Sequence, residues 1–189
     1  MKIKCELSVR HAHLSQEHVD ILFGKGHKLT PLKDLSQPGQ YLCEERIELV
    51  TPKATFKNVG IIGPTRAKSQ VEISRTDCFA LGIKNVPVRQ SGELDNTPGI
   101  TIKTEKGEVT LEEGVVVAQR HIHLDPKTAN EFGLTDNQMV SVKFDSERGG
   151  ILNSTVVRVH ENFAPSVHID SDEGNALGHK CGEEVEIIK

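Results

Sequence analysis

Two short segments of the chain carry the same set of potential ligands: Arg10-His11-Ala12-His13-Leu14 and Arg120-His121-Ile122-His123-Leu124. Side chains two apart on an extended strand face the same side, so each pair can turn two imidazoles toward one ion. Neutral imidazole is the commonest metal ligand among side chains, and two such half-sites in one chain point to a metal centre, with donors enough to start two. A plainer reading remains beside this one: the repeat preserves packing, with Leu14 and Leu124 buried and the histidines tolerated. Tight binding needs further donors. Glu72, between Val71 and Ile73, can expose a carboxylate on the opposite sheet face from its aliphatic neighbours, although a solvated strand carboxylate has the same pattern. His168 follows Ser166 by two residues, whereas His18, His27, His160 and His179 lack a repeated context; a partly buried, satisfied His160 and exposed His18, His27 and His179 are the plain expectations. Periodicity does not choose among them.

A second concentration of chemistry runs from Gly60 to Arg66 and on through Lys68, Gln70 and Arg75. Gly63-Pro64 marks a turn, and the guanidinium fork of Arg66 beyond it suits phosphate oxygens, while an ordinary surface arginine fits the same pattern. The segment is not a Walker motif, and no Gly-x-Gly-x-x-Gly fingerprint occurs. Pro87-Val88-Arg89-Gln90-Ser91-Gly92 is a second constrained basic loop.

The elements that must carry these groups read as short strands between Gly/Pro turns. Ile47–Val50, Ala54–Phe56, Val71–Ile73, Val115–Ala118, Met139–Phe144 and Thr155–Val159 are branched or alternating, which favours a barrel or sandwich over a helical bundle. Asp145–Gly150 is a hairpin connection. A short helix follows each histidine pair: Ser15 caps Gln16–Phe23 before Gly24, and Asp125 caps a helix that starts at Pro126 and ends before Gly133.

With 189 residues, 36% of them hydrophobic and 26% charged, the chain can bury a core as one domain or as two small ones. Its net charge of -4 argues against a general nucleic-acid surface but leaves room for a local basic pocket. No apolar run approaches membrane-spanning length, and the first residues lack the apolar stretch of a secretory signal. Cys5, Cys43, Cys78 and Cys181 form no Cys-x-x-Cys pair, so reduced thiols are expected.

The segments Ser8–Ser15, Gly63–Asp77, Pro87–Gly92, Arg120–Leu124 and His168–Ala176, taken together and in this order, resemble the PduL-type phosphate acyltransferases, the phosphate propanoyltransferase family. The resemblance covers nearly the whole chain. It implies a mainly β fold of two closely associated, interleaved β-barrels with short α-helical caps, the histidine motifs falling near residues 8–24 and 118–133 and the exact domain boundaries left open. It implies transfer of a propanoyl or acetyl group between coenzyme A and inorganic phosphate, with two zinc ions per chain. His11, His13 and Glu72 match one metal site and His121, His123 and His168 the other. Arg66 matches the phosphate-binding arginine, and Asn175 lies in a segment associated with coenzyme A.

One zinc would polarise the thioester carbonyl or stabilise the released thiolate, and the other would help to place phosphate; which does which stays open. A zinc hydrolase and a non-catalytic metal-binding domain are the competing classes. Direct attack by phosphate needs no acyl-cysteine. Microcompartment members of the family commonly carry an amphipathic amino-terminal extension, for which there is no room before His11. A cytoplasmic enzyme is therefore expected, acting as a homodimer, with microcompartment recruitment by another route left open.

Overall fold

The computed structural model describes residues 1–189, which fold as two units: Met1–Val9 with Gln119–Lys189, and Arg10–Ala118. The chain opens with β1 (Lys2–Ser8), β2 (His11–His13), α1 (Gln16–Phe23), β3 (Pro31–Asp34), β4 (Tyr41–Val50) and β5 (Thr55–Gly63). It continues through β6 (Gln70–Glu72), α2 (Arg75–Leu81), β7 (Val88–Arg89), β8 (Ile100–Lys103), β9 (Glu108–Leu111) and β10 (Val115–Ala118). The remainder is β11 (His121–Leu124), α3 (Pro126–Glu131), β12 (Met139–Phe144), β13 (Gly150–Val159), β14 (Ser166–Asp170), α4 (Ser171–Leu177) and β15 (Glu184–Ile188).

The first unit is a closed barrel in the order β1-β14-β11-β13-β12-β15. Closure depends on the amino terminus: β1 pairs in parallel with β14 and antiparallel with β15. Removing it would leave two unpaired strand edges, which explains why the first nine residues fold with the last seventy-one rather than with their chain neighbours. Cys5, Ile122, Val142, Phe144, Val157 and Val167 fill this barrel and are all but inaccessible to water.

The second unit is a nine-stranded curled half-barrel, β7-β10-β6-β2-β5-β4-β8-β9, with β3 paired to β4. Its core gathers Leu14, Leu22, Ile47, Leu49, Ile61, Val71 and Ile102. β4 and β5 form a long hairpin whose register shifts twice, which lets it bend. Gly63 ends β5 where an added Cβ would meet the Tyr41 ring at 2.4 Å.

Both helix starts after the histidine pairs form as the sequence predicts. Ser15 accepts from the amide of His18 and Asp125 from that of Thr128, each from extended backbone. α3 stops at Glu131 with Phe132 as its cap, and Gly133 follows at φ 58°. The predicted strands Val115–Ala118 and Met139–Phe144 match β10 and β12 residue for residue, and Asp145–Gly149 connects the antiparallel β12–β13 hairpin.

The two units repeat one order of elements. β2-α1-β4-β5-β6-α2 in the second corresponds to β11-α3-β12-β13-β14-α4 in the first, apart from the added β3. In both, the histidine strand lies between a parallel and an antiparallel neighbour: β5 and β6 flank β2, and β13 and β14 flank β11.

Candidate metal centres and a candidate anion-binding arginine

The antiparallel neighbours supply the third donor in each unit. Glu72 of β6 lies opposite His11 of β2, and His168 of β14 lies opposite His121 of β11. Opposed residues of an antiparallel pair present their side chains to the same face, so two histidines and one residue from the next strand converge. Within each trio, His11-His13-Glu72 and His121-His123-His168, the donor atoms lie within 4.8 Å of one another.

In the first trio His11 Nε2 is 3.6 Å from Glu72 Oε2, and His13 Nε2 is 3.8 Å from Glu72 Oε1. Donors at the corners of a zinc tetrahedron with arms of about 2.1 Å stand about 3.4 Å apart, so a small closure brings these atoms to ligating distance. His13 Nδ1 lies 3.1 Å from the carbonyl oxygen of Ile62. Donating to that carbonyl places the proton on Nδ1 and leaves the Nε2 lone pair toward the carboxylate. Burial, reinforced by His11 and Arg66, pushes the His13 pKa from 6.5 down to about 3, which keeps the ring neutral as a ligand must be.

The second trio has no carboxylate. His121 and His168 stack with ring centroids 5.0 Å apart, and His123 lies edge-on to His121 at 4.6 Å. Backbone again fixes a tautomer, since His121 Nδ1 is 2.8 Å from the carbonyl of Gln119. His168 Nε2 lies 2.8 Å from Ser166 Oγ, while Phe163 covers His123 with centroids 4.1 Å apart. Burial, with the charges of His121, His168 and Arg158, lowers the His123 pKa to about 2. His123 Nδ1 is buried without a hydrogen-bond partner. An orphaned polar atom of this kind costs about 1–3 kcal/mol, a cost that a cation held among the three rings would offset. On donor chemistry both trios fit zinc, and in the second the orphaned nitrogen adds to the fit. Each also offers three protein ligands, the number typical of a site that keeps a fourth position open.

Arg66 follows the Gly63-Pro64 turn, half-buried, with its amide donating to the Leu14 carbonyl beyond the first histidine pair. Arg66 Nη1 donates to Ser91 Oγ at 2.9 Å; Ser91 in turn donates to Glu72 Oε1, also at 2.9 Å. Gln70 Nε2 donates to both Glu72 Oε1 and Ser91 Oγ, and its carbonyl oxygen accepts from the Gly92 amide. The loop Pro87–Gly92 thus ties the arginine to the carboxylate. Gln70 and Ser91 stand out in the sequence only as members of their segments; their joint role comes from β6 and this loop meeting in space.

Arg75 is spent on the Val86 carbonyl, and Arg89 is exposed. Asn175 is exposed on α4 and is not part of either trio. Of the remaining histidines, His18 bonds Ser69, His27 bonds Glu45, and both are half-buried. His160 is exposed and His179 buried, the reverse of the plain expectation, because the carboxy-terminal turn folds His179 against Phe144 and the Cys5 carbonyl. All four cysteines are free thiols, three of them buried.

A mainly β protein with a duplicated three-donor motif is the class these features define. The family model described as phosphate propanoyltransferase matches residues 4–180. A phosphate propanoyltransferase of Clostridioides difficile is 49% identical over 187 residues, 99% of this chain and 89% of the relative. One from Listeria monocytogenes is 50% identical over 187 residues, covering 99% and 87%. A more distant source, Thermotoga maritima, has one 46% identical over 184 residues, covering 97% and 87%. The chain belongs to the phosphate propanoyltransferase family.

Proposed function

We propose that the protein reversibly transfers a propanoyl group between coenzyme A and inorganic phosphate, and that acetyl is an alternative acyl group. The observation that carries this reading, in a chain of this family, is the Arg66–Ser91–Glu72 chain of hydrogen bonds, which joins a phosphate-type arginine to a metal-type carboxylate. In this reading His11, His13 and Glu72 hold one zinc, His121, His123 and His168 hold the other, and Asn175 contacts coenzyme A. Bound zinc supplies Lewis acidity toward a carbonyl or thiolate and charge neutralisation for phosphate.

The protein's own groups do the positioning. Arg66 orients phosphate with its planar fork, and Ser91 and Gln70 hold that fork against Glu72. A phosphate oxygen attacks the thioester carbonyl carbon, the carbon–sulfur bond breaks, coenzyme A leaves as thiolate, and acyl phosphate forms. No cysteine is needed as a nucleophile: burial pushes the Cys5 thiol up to about 12 and Cys43 up to about 11. Propanoyl and acetyl differ by one methylene, worth roughly 1–3 kcal/mol in a hydrophobic pocket, so both remain usable.

The test is an assay of zinc-loaded protein with propanoyl-CoA, with and without phosphate, following free thiol and acyl phosphate together. Thiol release that requires phosphate and yields equal acyl phosphate is expected. Phosphate-independent thiol release would identify a hydrolase, and no release would identify a binding protein. We expect the enzyme to work in the cytoplasm; no helix is long and apolar enough to cross a membrane.

A further inference from the structure

The duplication extends beyond the donors to the residue that precedes each pair. Arg10 Nε and Nη2 donate to Asp77 Oδ1 at 3.0 and 2.6 Å. In the other unit Arg120 donates through Nη1 to Glu173 Oε1, and its Nε donates to the Asn153 carbonyl at 2.9 Å. The two acids hold the same place. Asp77 is the third residue of α2 and closes a capping box with Ser74; Glu173 is the third residue of α4 and closes one with Asp170. Each helix begins within three residues of the strand that ends in or near the third donor, Glu72 or His168, and each ends at a left-handed glycine, Gly82 or Gly178.

The strands that set the donor spacing are very short. β2 and β6 are three residues long, and β11 and β14 share three opposed positions. So few ladder bonds hold a register weakly against sliding or splaying, and a side-chain tie at the strand entrance adds a fixed point. The tied acid is itself immobilised. Asp77 Oδ2 accepts from the Ser74 amide and Glu173 Oε2 from that of Asp170, so each arginine is anchored to a helix start rather than to a freely rotating carboxylate. Each arginine has a second contact: Arg10, though exposed, lies over the Phe56 ring at 4.6 Å, on β5, and Arg120 holds the backbone of β13.

We propose that Arg10 and Arg120 are duplicated positioning residues, each locking the strand that carries two donors to the helix that follows the third and thereby setting the spacing of its own metal trio. Neither arginine is a donor of either trio. The inference rests on the reading of the two trios as metal sites, and it makes the two clamps act separately: Arg10 serves His11, His13 and Glu72, while Arg120 serves His121, His123 and His168.

The experiment titrates metal-free full-length protein with Co2+ against a competing chelator, following the visible absorption of the bound ion. His11→Ala and His121→Ala assign each binding step to a trio. Arg10→Met should weaken one step by about tenfold to a hundredfold, the range found when groups that orient ligands are removed, and leave the other at the parent value; Arg120→Met should do the converse. The untouched trio in the same molecule, together with thermal unfolding of the metal-free chain, separates lost positioning from lost folding. Arg10→Lys and Arg120→Lys should recover part of the affinity, since an ammonium keeps the charge but not the fork. Arg→Met proteins that stay folded with both steps unchanged overturn the clamp alone, as does equal weakening of both steps in either variant. A parent that takes up no Co2+ overturns the metal reading and the clamp with it.

Discussion

His168 lies directly opposite His121 on the neighbouring antiparallel strand, and the two rings stack with their planes 8° apart. Glu72 has the same place opposite His11. The third donor is therefore set by strand register, and the two trios are one device used twice with a carboxylate exchanged for an imidazole.

Two zinc ions per chain are expected, one for each trio. His11→Ala and His121→Ala should each retain one, with elemental analysis of the folded proteins as the measurement. Two full equivalents in either folded variant would count against the assignment, since imidazole supplies a ligand to each site.

The histidine pairs, their helix caps and the Gly63-Pro64 turn were legible because their signals are local. Register is not local. His168 could be reached only through the family resemblance, because nothing within Pro165–Asp170 says which strand it will face. Bulges also hid strand length: Ile47–Val50 is visible as a strand, but β4 starts at Tyr41, and its register shifts erase the alternation between. Ser154 at φ 57° does the same within β13, of which Thr155–Val159 was legible. The alternation from Lys2 to Leu7 is a plain local strand signal absent from the predicted strands, and it marks the strand that closes the first barrel.

Thiol reactivity should be confined to Cys181, the one exposed cysteine. Under native conditions near neutral pH an alkylating reagent should label Cys181 and spare Cys5, Cys43 and Cys78, all three reacting after denaturation. Peptide mass spectrometry reads this directly. Acyl transfer should survive Cys181→Ala, whereas its abolition in a folded protein would reopen an acyl-cysteine route.

The metal-free chain should lose stability in acid between about pH 6.5 and 3. His13 and His123 have pKa values pushed down to about 3 and about 2 by burial, so below 6.5 the unfolded chain takes up protons that the folded chain refuses. That favours unfolding as pH falls. Asp170 and Glu173 work the other way, because burial raises their pKa and their contribution is lost as pH rises. With the two imidazole shifts the larger, the melting temperature of the metal-free protein should fall across this window, and His13→Gln should flatten the slope. A flat profile in the metal-free parent would contradict the burial argument.

Asn175→Ala should raise the KM for acyl-CoA severalfold without changing zinc content or phosphate saturation. The side chain is exposed on α4, and the bond from Gly178 uses the Asn175 backbone carbonyl, so the helix cap survives the substitution. Steady-state kinetics with each substrate varied in turn is the measurement, and an unchanged KM for acyl-CoA would remove Asn175 from the binding surface.

Arg66 and Ser91 should fail in different ways. Arg66→Ala should weaken phosphate use and suppress acyl transfer by roughly a hundredfold, the cost typical of losing one preorganised charge-stabilising donor, while zinc remains bound. Arg66→Lys should recover only part of this, because an ammonium cannot reproduce two parallel hydrogen bonds. Ser91→Ala keeps the guanidinium but removes the oxygen that accepts from Arg66 and donates to Glu72. It should therefore raise the KM for phosphate more than it lowers kcat, and should also loosen the zinc held by His11, His13 and Glu72. Kinetics with phosphate and acyl-CoA varied independently, beside zinc content and a fold check, separates these outcomes. Unchanged phosphate saturation and turnover in folded, zinc-loaded Arg66→Ala protein would sink the phosphate assignment and turn attention to the exposed Arg89 on the same loop as Ser91, since Arg75 is already bound to the Val86 carbonyl.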